Sequence, residues 1–370
     1  MLFGGKTMRL STSVTSLLGL VVAICACSKS ASSPAAIVEN PTPTPTAAVT
    51  IAPLPPIPTT APVINVPKGF WVGNLSLRLL ARFDVFGNRV AEADLQSIAQ
   101  TGGVTALAFL DPTTIVAILD AGTVAGGEVL VTIDANTGAI KNKSWWQDST
   151  AFAAVESNGI VSNAINNNVL FSGNKTIERL IYNGGGAARV GGTAGGSSSY
   201  IPQITAGVCA SDKIGNIALL TINNALSLAQ LTHNTAHRIN ILGNLEGSPS
   251  CISSYDYAAA GQPTTVDHIP ISAVQMPDGK LYVLYQHAVA PKIVSYETDG
   301  RTLTNPIVVY EDASVLGATP RGLTKFGETT MLVGNPITGK VFEIFTAGGF
   351  TGFFITSTYT SSVGTILTVP

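Results

Sequence analysis

From residue 67 onward the chain reads as short apolar runs with a period of two, each closed by Gly, Asn, Asp or Pro. Alternation of this kind predicts β-strands joined by tight turns. No segment carries the 3.6-residue periodicity of a helix of ten or more residues. A Gly/Asn/Asp turn recurs at Gly87-Asn88, Asp134–Gly138, Asn183–Gly186, His233-Asn234, Thr298–Gly300 and Ala347–Gly349. With centres at 87, 136, 184, 234, 299 and 348, the spacings are 49, 48, 50, 65 and 49 residues. A second turn series falls in step at Asp111-Pro112, Asn166-Asn167, Asp212-Lys213, Pro277–Gly279 and Gly327-Glu328.

Two interleaved turn series at one period predict four strands per unit, the pattern of a β-propeller. Five units are expected to start near 104, 159, 203, 269 and 319. A leftover C-terminal strand (363–369) joins three N-terminal strands (near 70–75, 77–84 and 89–94) to make a sixth blade. The predicted fold is therefore an all-β, six-bladed propeller of four-stranded blades over 67–370, closed by both chain ends, with seven blades as the alternative count. Closure hides the strand edges that an open array leaves bare. The unit Val131-Thr-Ile-Asp134-Ala-Asn-Thr-Gly138-Ala-Ile140 resembles the YVTN/NHL-like repeats of bacterial propellers, and the resemblance implies that fold over about 300 residues.

The ends of the chain give an address. Lys6 and Arg9 precede the apolar run Leu17–Ala26, which is too short to span a bilayer and fits a signal peptide over residues 1–26. Ile24-Cys25-Ala26-Cys27 resembles a bacterial lipobox, which implies that Cys27 becomes the acylated first residue and anchors the protein in a membrane. In lipoproteins of that family Ser28 in place of Asp implies the outer membrane, facing the periplasm or the cell surface. Residues 27–66 are expected to form a tether, because 28–66 hold nine of the 21 prolines and only two charges, Lys29 and Glu39. In extended polyproline II this tether reaches about 100 Å.

Composition narrows the function classes. Charged residues make up only 11% of the 370, the formal net charge is −2, and cleavage after residue 26 takes it to −4. Such a balance leaves no basic footprint for nucleic acid. Cys209, placed by the turn register at the end of an inner strand, and Cys251, placed in an insertion of about 16 residues within 244–262, are the only mature cysteines besides Cys27. An even pair in an oxidising compartment is expected to bridge.

Motifs of chemistry are sparse: there is no HExxH, CxxC, GxSxG or EF-hand loop. Gly334–Lys340 matches a P-loop except that Val341 replaces the Ser/Thr, and the strand-like run after it offers no helix N-terminus to phosphate. His233 and His237 flank a turn, and no cofactor or metal is assigned. If blades run from inner to outer strand, one loop rim collects Trp145, Trp146, Asp148, Tyr200, Tyr255, Asp256, Tyr257, His268, His287, Arg321 and Tyr359. Tyr and Trp are the usual anchors of interfaces. The expectation is a non-enzymatic, lipid-anchored module whose rim binds a protein or glycan. The alternatives are a propeller hydrolase of the lactonase type in the periplasm, or an outer-membrane assembly accessory lipoprotein, a family whose repeats carry a tryptophan motif in every blade that is missing here.

Overall fold

The computed structural model describes residues 68–98, 102–120, 129–147, 159–163, 168–173, 176–183, 186–189, 200–210, 214–223, 225–232, 238–245, 249–257, 268–356 and 362–370. Cys27, the expected signal peptide and tether, Asp148, His233, His237 and Tyr359 lie outside them.

The first strands along the chain are β1 (Gly69–Asn74), β2 (Leu79–Phe83) and β3 (Arg89–Asp94). Four consecutive strands follow: β4 (Val104–Asp111), β5 (Thr114–Leu119), β6 (Val129–Asp134) and β7 (Ile140–Gln147). The next group is β8 (Ile160–Asn163), β9 (Asn168–Ser172), β10 (Ile177–Asn183) and β11 (Gly186–Arg189). After it come β12 (Ile214–Ile222), β13 (Ala225–Thr232), β14 (Arg238–Gly243) and β15 (Ser250–Asp256). A fifth group is β16 (Ile269–Gln275), β17 (Leu281–Gln286), β18 (Lys292–Thr298) and β19 (Leu303–Glu311). Behind the one-turn helix α1 (Ala313–Leu316), the last strands are β20 (Arg321–Lys325), β21 (Thr330–Asn335), β22 (Lys340–Phe345), β23 (Phe350–Thr356) and β24 (Val363–Val369).

Each group of four is one antiparallel sheet, and the sixth sheet has the order β24-β1-β2-β3. Six blades close into a propeller, as the sequence predicts, and the seven-bladed alternative is set aside. The closing blade joins both chain ends through the β1–β24 ladder, with Trp71 opposite Leu367.

Burial explains the composition. Along β5, Ile115, Ala117 and Leu119 pack toward β1–β3, while Val116 and Ile118 pack toward the next blade. The same alternation on β17 sends Leu281, Val283 and Tyr285 one way and Tyr282 and Leu284 the other. Every blade is thus sandwiched between two neighbours and its middle strands are apolar on both faces, which contributes to the chain's mean hydropathy of +0.35. Trp71 adds a polar tie across one of these interfaces, its Nε1 donating to Ala135 O at 3.1 Å.

The turns are built from side-chain acceptors. In the β6–β7 hairpin Asp134 Oδ1 accepts from Asn136 N at 3.0 Å and Thr137 N at 2.9 Å. Gly138 follows at φ +79°, and a Cβ there would sit 2.3 Å from Glu92 O of the neighbouring blade. Only glycine satisfies both the backbone and the approach. The P-loop-like segment is likewise a hairpin turn between β21 and β22, with Asn335 Oδ1 accepting from Ile337 N and Thr338 N.

One blade departs from the predicted register. Its inner strand starts at Ile214, not near 203, and His233-Asn234 lies between its second and third strands. The other turns of that first series join third and fourth strands, so the 65-residue spacing comes from a slip of one hairpin. Residues 250–256 form the outer strand β15 and are no insertion. Cys209 precedes β12, in a segment fixed by the Ile177–Ile201 bridge pair, and is not part of an inner strand. The Cys209–Cys251 disulfide, with Cα atoms 6.0 Å apart, ties that segment to β15.

Candidate functional site

The innermost strands β24, β4, β8, β12, β16 and β20 surround a cavity of about 540 Å³ on the propeller axis. That volume falls in the range of small-molecule sites. Side chains stitch the ring together around it. Asn216 Nδ2 donates to Ile271 O at 3.2 Å, Ser272 Oγ to Leu323 O at 3.4 Å, and Ser172 Oγ to Gly215 O at 3.1 Å. These contacts also fix which residues stand level on adjacent strands. Gly322 abuts the backbone of Thr365 and Ile366, and Gly364 abuts Val104 O, so Arg321, Thr365 and Thr105 occupy one end of the channel.

At that end Arg321 supplies the cation of the described lining, and Thr105 a hydroxyl that is 7% exposed and has no hydrogen-bond partner among the described residues. Further along, the lining turns apolar. Leu367, Val274, Leu219 and Phe109 line the cavity and are only partly buried, each packed on one side against an interblade cluster. Asp111, six residues past Thr105 and therefore about 20 Å along the strand, closes the opposite end. Hydrogen bonds from Thr113 hold its carboxyl below the usual carboxylate range against an opposing desolvation, which is its largest single influence. Among the described residues no three His, Cys, Asp or Glu side chains gather where they could hold a metal ion.

The predicted loop rim is different in kind. Trp145 is buried on β7 against Tyr182, and Trp146 packs on Phe171 with ring centroids 5.1 Å apart. Tyr200 is buried, donates to Leu245 O and lies under the Arg179 guanidinium. Tyr257 stacks on Tyr285 at 4.7 Å, and His268 stacks on His287 at 4.1 Å with Tyr257 edge-on. Tyr255 meets Tyr296, and Asp256 pairs with Arg238. Burial pushes the Tyr257 phenol up to about 12, with Tyr255 and Glu311 adding to the shift. These aromatics fill the contacts between blades and offer no open binding face. Of the described members of the predicted set, Arg321 alone lines the cavity.

Sequence reasoning missed Thr105, Asn216 and the apolar tier. A signal was present: Thr105, Ser162, Asn216, Ser272, Thr324 and Thr365 each interrupt an apolar inner strand one to three residues after its start. Polar side chains within the first four positions of every inner strand mark a shared axis.

No family model and no curated protein matches the chain. Solved structures do. A putative 6-phosphogluconolactonase from Bacteroides fragilis is 11% identical, covers 83% of this chain and 99% of its own, and gives a TM-score of 0.53. The periplasmic gluconolactonase of Pseudomonas aeruginosa is 12% identical over 82% of this chain and 99% of its own, at a TM-score of 0.52. A functionally unknown protein from Desulfotomaculum acetoxidans is also 12% identical, over 81% and 98%, at 0.52. At these identities the likeness establishes the propeller fold. It corrects the expectation of a non-enzymatic rim-binding scaffold, because propellers of this shape include proteins named as lactonases. The geometry corrects it again, since the rim aromatics are packed away and the open cavity lies on the axis.

Proposed function

We propose that the chain is a propeller enzyme of the hydrolase class that opens a small lactone or ester in its axial channel. The observation that carries the reading is the cavity of about 540 Å³ enclosed by all six inner strands, with Arg321 and the unpaired Thr105 hydroxyl at one end. Water addition to an ester carbonyl develops an oxyanion and ends in a carboxylate. A preorganised guanidinium in a confined site is suited to stabilise both. The lactonase names of similar propellers support the same substrate class.

The test is hydrolysis of a lactone panel by the purified protein, followed by proton release. Turnover above the buffer rate is expected, and Arg321→Ala should lower kcat/KM by about 100-fold. No turnover on any lactone or ester, or an Arg321→Ala variant as active as the parent, would refute the reading.

The enzyme's address follows from the same proposal. A lipidated Cys27 and the Pro/Thr tether would hold the domain at the outer membrane, and a disulfide between Cys209 and Cys251 suits an oxidising compartment. Radiolabelled palmitate should enter the wild-type protein and not Cys27→Ser, and protease shaving of whole cells would report which side the domain faces.

A further inference from the structure

The channel is graded along its length. Arg321, Thr365, Thr105 and Asn216 cluster at the end where the inner strands begin, as the contacts of Gly322 with Thr365 and of Gly364 with Val104 require. Leu367, Val274, Leu219 and Phe109 follow further along, each leaving apolar surface toward the cavity. Asp111 stands beyond them at the far end. Both functional groups of the Asn216 amide are already committed, Nδ2 to Ile271 O and Oδ1 to Ile217 N. Ser272 is likewise spent on Leu323 O. Besides Asp111, the remaining side-chain polar groups of the lining are few: Arg321, Thr105, Thr365 and Ser162 toward the end where the strands begin, and a single hydroxyl, Thr324, beside the apolar tier.

A polyhydroxylated sugar acid would bring hydroxyls along its whole length and bury most of them against Leu, Val and Phe without partners, which is costly. An alkyl chain meets those walls at no such cost and gains from leaving water. Its head group is fixed by charge: an oxyanion is attracted to Arg321 and repelled by Asp111, so only one orientation is favoured.

We infer that the channel takes an amphipathic monoanion, a medium-length alkyl chain ending in a single carboxylate or nascent oxyanion, so that the lactone opened here carries an alkyl substituent and not a ring of hydroxyls. The inference rests on the channel being the functional site.

The experiment is titration calorimetry on the full-length chain carrying Cys27→Ser, purified without detergent from an oxidising host. The probes are decanoate, decan-1-ol, decylamine and gluconate, with γ-decanolactone and glucono-δ-lactone tested for hydrolysis in parallel. Decanoate should bind at least tenfold tighter than decylamine or gluconate. Arg321→Gln should weaken decanoate by about 10- to 100-fold and leave decan-1-ol unchanged. Phe109→Asp should abolish decanoate binding while retaining the parent's thermal transition; where that variant fails to fold, Leu219→Ser serves the same purpose. Gluconate binding as tightly as decanoate, or decanoate binding indifferent to Arg321→Gln, overturns the inference. Hydrolysis of glucono-δ-lactone without decanoate binding sinks this inference and leaves the hydrolase reading standing. Decanoate binding without turnover of any lactone or ester of the panel supports the ligand class and sinks the hydrolase reading.

Discussion

The Cys209–Cys251 bridge joins positions 42 residues apart, and its removal gives the most quantitative test of how the propeller is held together. Cys209 is fully buried at the interface formed by Leu170 and Ile177 on one blade and Ile214, Leu228 and Leu242 on the next. The segment it anchors contributes Tyr200 and Ile201 to the same cluster. In the chain-entropy account a closed loop of this size restricts the unfolded chain by about 4 kcal/mol. Unfolding a domain of about 300 residues carries an entropy of about 2.1 cal/mol/K per residue, so 4 kcal/mol corresponds to a loss of about 6 °C in Tm. Calorimetric melting of Cys209→Ala/Cys251→Ala against the parent measures this directly. Alanine also removes a little buried sulfur, and the reductant arm separates that contribution. Dithiothreitol should lower the parent's Tm by most of the 6 °C and leave the double variant unmoved. A parent indifferent to reductant, with a double variant melting within about 1 °C of it, would refute the claim that the bridge restrains this interface.

Gly103→Ala should cost at least about 3 kcal/mol in urea unfolding, because the new Cβ would lie 1.9 Å from Leu75 O, backbone that cannot yield cheaply. Tyr285→Phe should cost about 1–3 kcal/mol by leaving the Tyr296 hydroxyl, 2.5 Å away, buried and unpaired, while Tyr285→Phe/Tyr296→Phe should cost less than the single change. Burial raises both phenols well above their ordinary value, so their contribution is intact below about pH 10 and fades as pH rises beyond it, visible as a falling urea midpoint. At the acid end, backbone N–H donors from Thr137 and from Arg301 and Thr302 lower the Asp134 and Asp299 carboxyls. Their depressed folded-state values mean that stability is present above about pH 4 and lost as pH falls below it. Asp134→Asn/Asp299→Asn keeps the turn acceptors and should flatten the change in urea midpoint between pH 5 and pH 3.

What the sequence made legible was whatever repeats at the surface of a blade. Turn residues such as Asp134–Gly138 and Pro277–Gly279 cap hairpins in nearly the same words each time, so blade number and the joining of both chain ends could be read from spacing alone. The slip at His233-Asn234 shows the limit of that method. A turn between second and third strands uses the same residue types as one between third and fourth, and nothing local distinguishes them. The inner strand at Ile214 could still have corrected it, since inner strands begin at 104, 160, 214, 269 and 321, a more regular series than the turns.

The rim misled for a physical reason. Aromatic residues at strand ends serve equally well as interface anchors and as wedges between blades, and the sequence does not say which side of a sheet another sheet covers. Trp145, Tyr257 and His268 became wedges because a propeller presses both faces of each blade against its neighbours. The channel was illegible for the opposite reason: each blade contributes one or two side chains to it, so Thr105, Asn216 and Arg321 lie more than 200 residues apart end to end and form no local motif. Their common feature is a polar residue within the first three positions of an otherwise apolar inner strand. Burying a hydroxyl or a guanidinium there costs stability unless a partner is supplied. The ring stitching accounts for Asn216 and Ser272. Thr105 has no such partner among the described residues, and a ligand head group beside Arg321 is the partner that would make its position worth keeping.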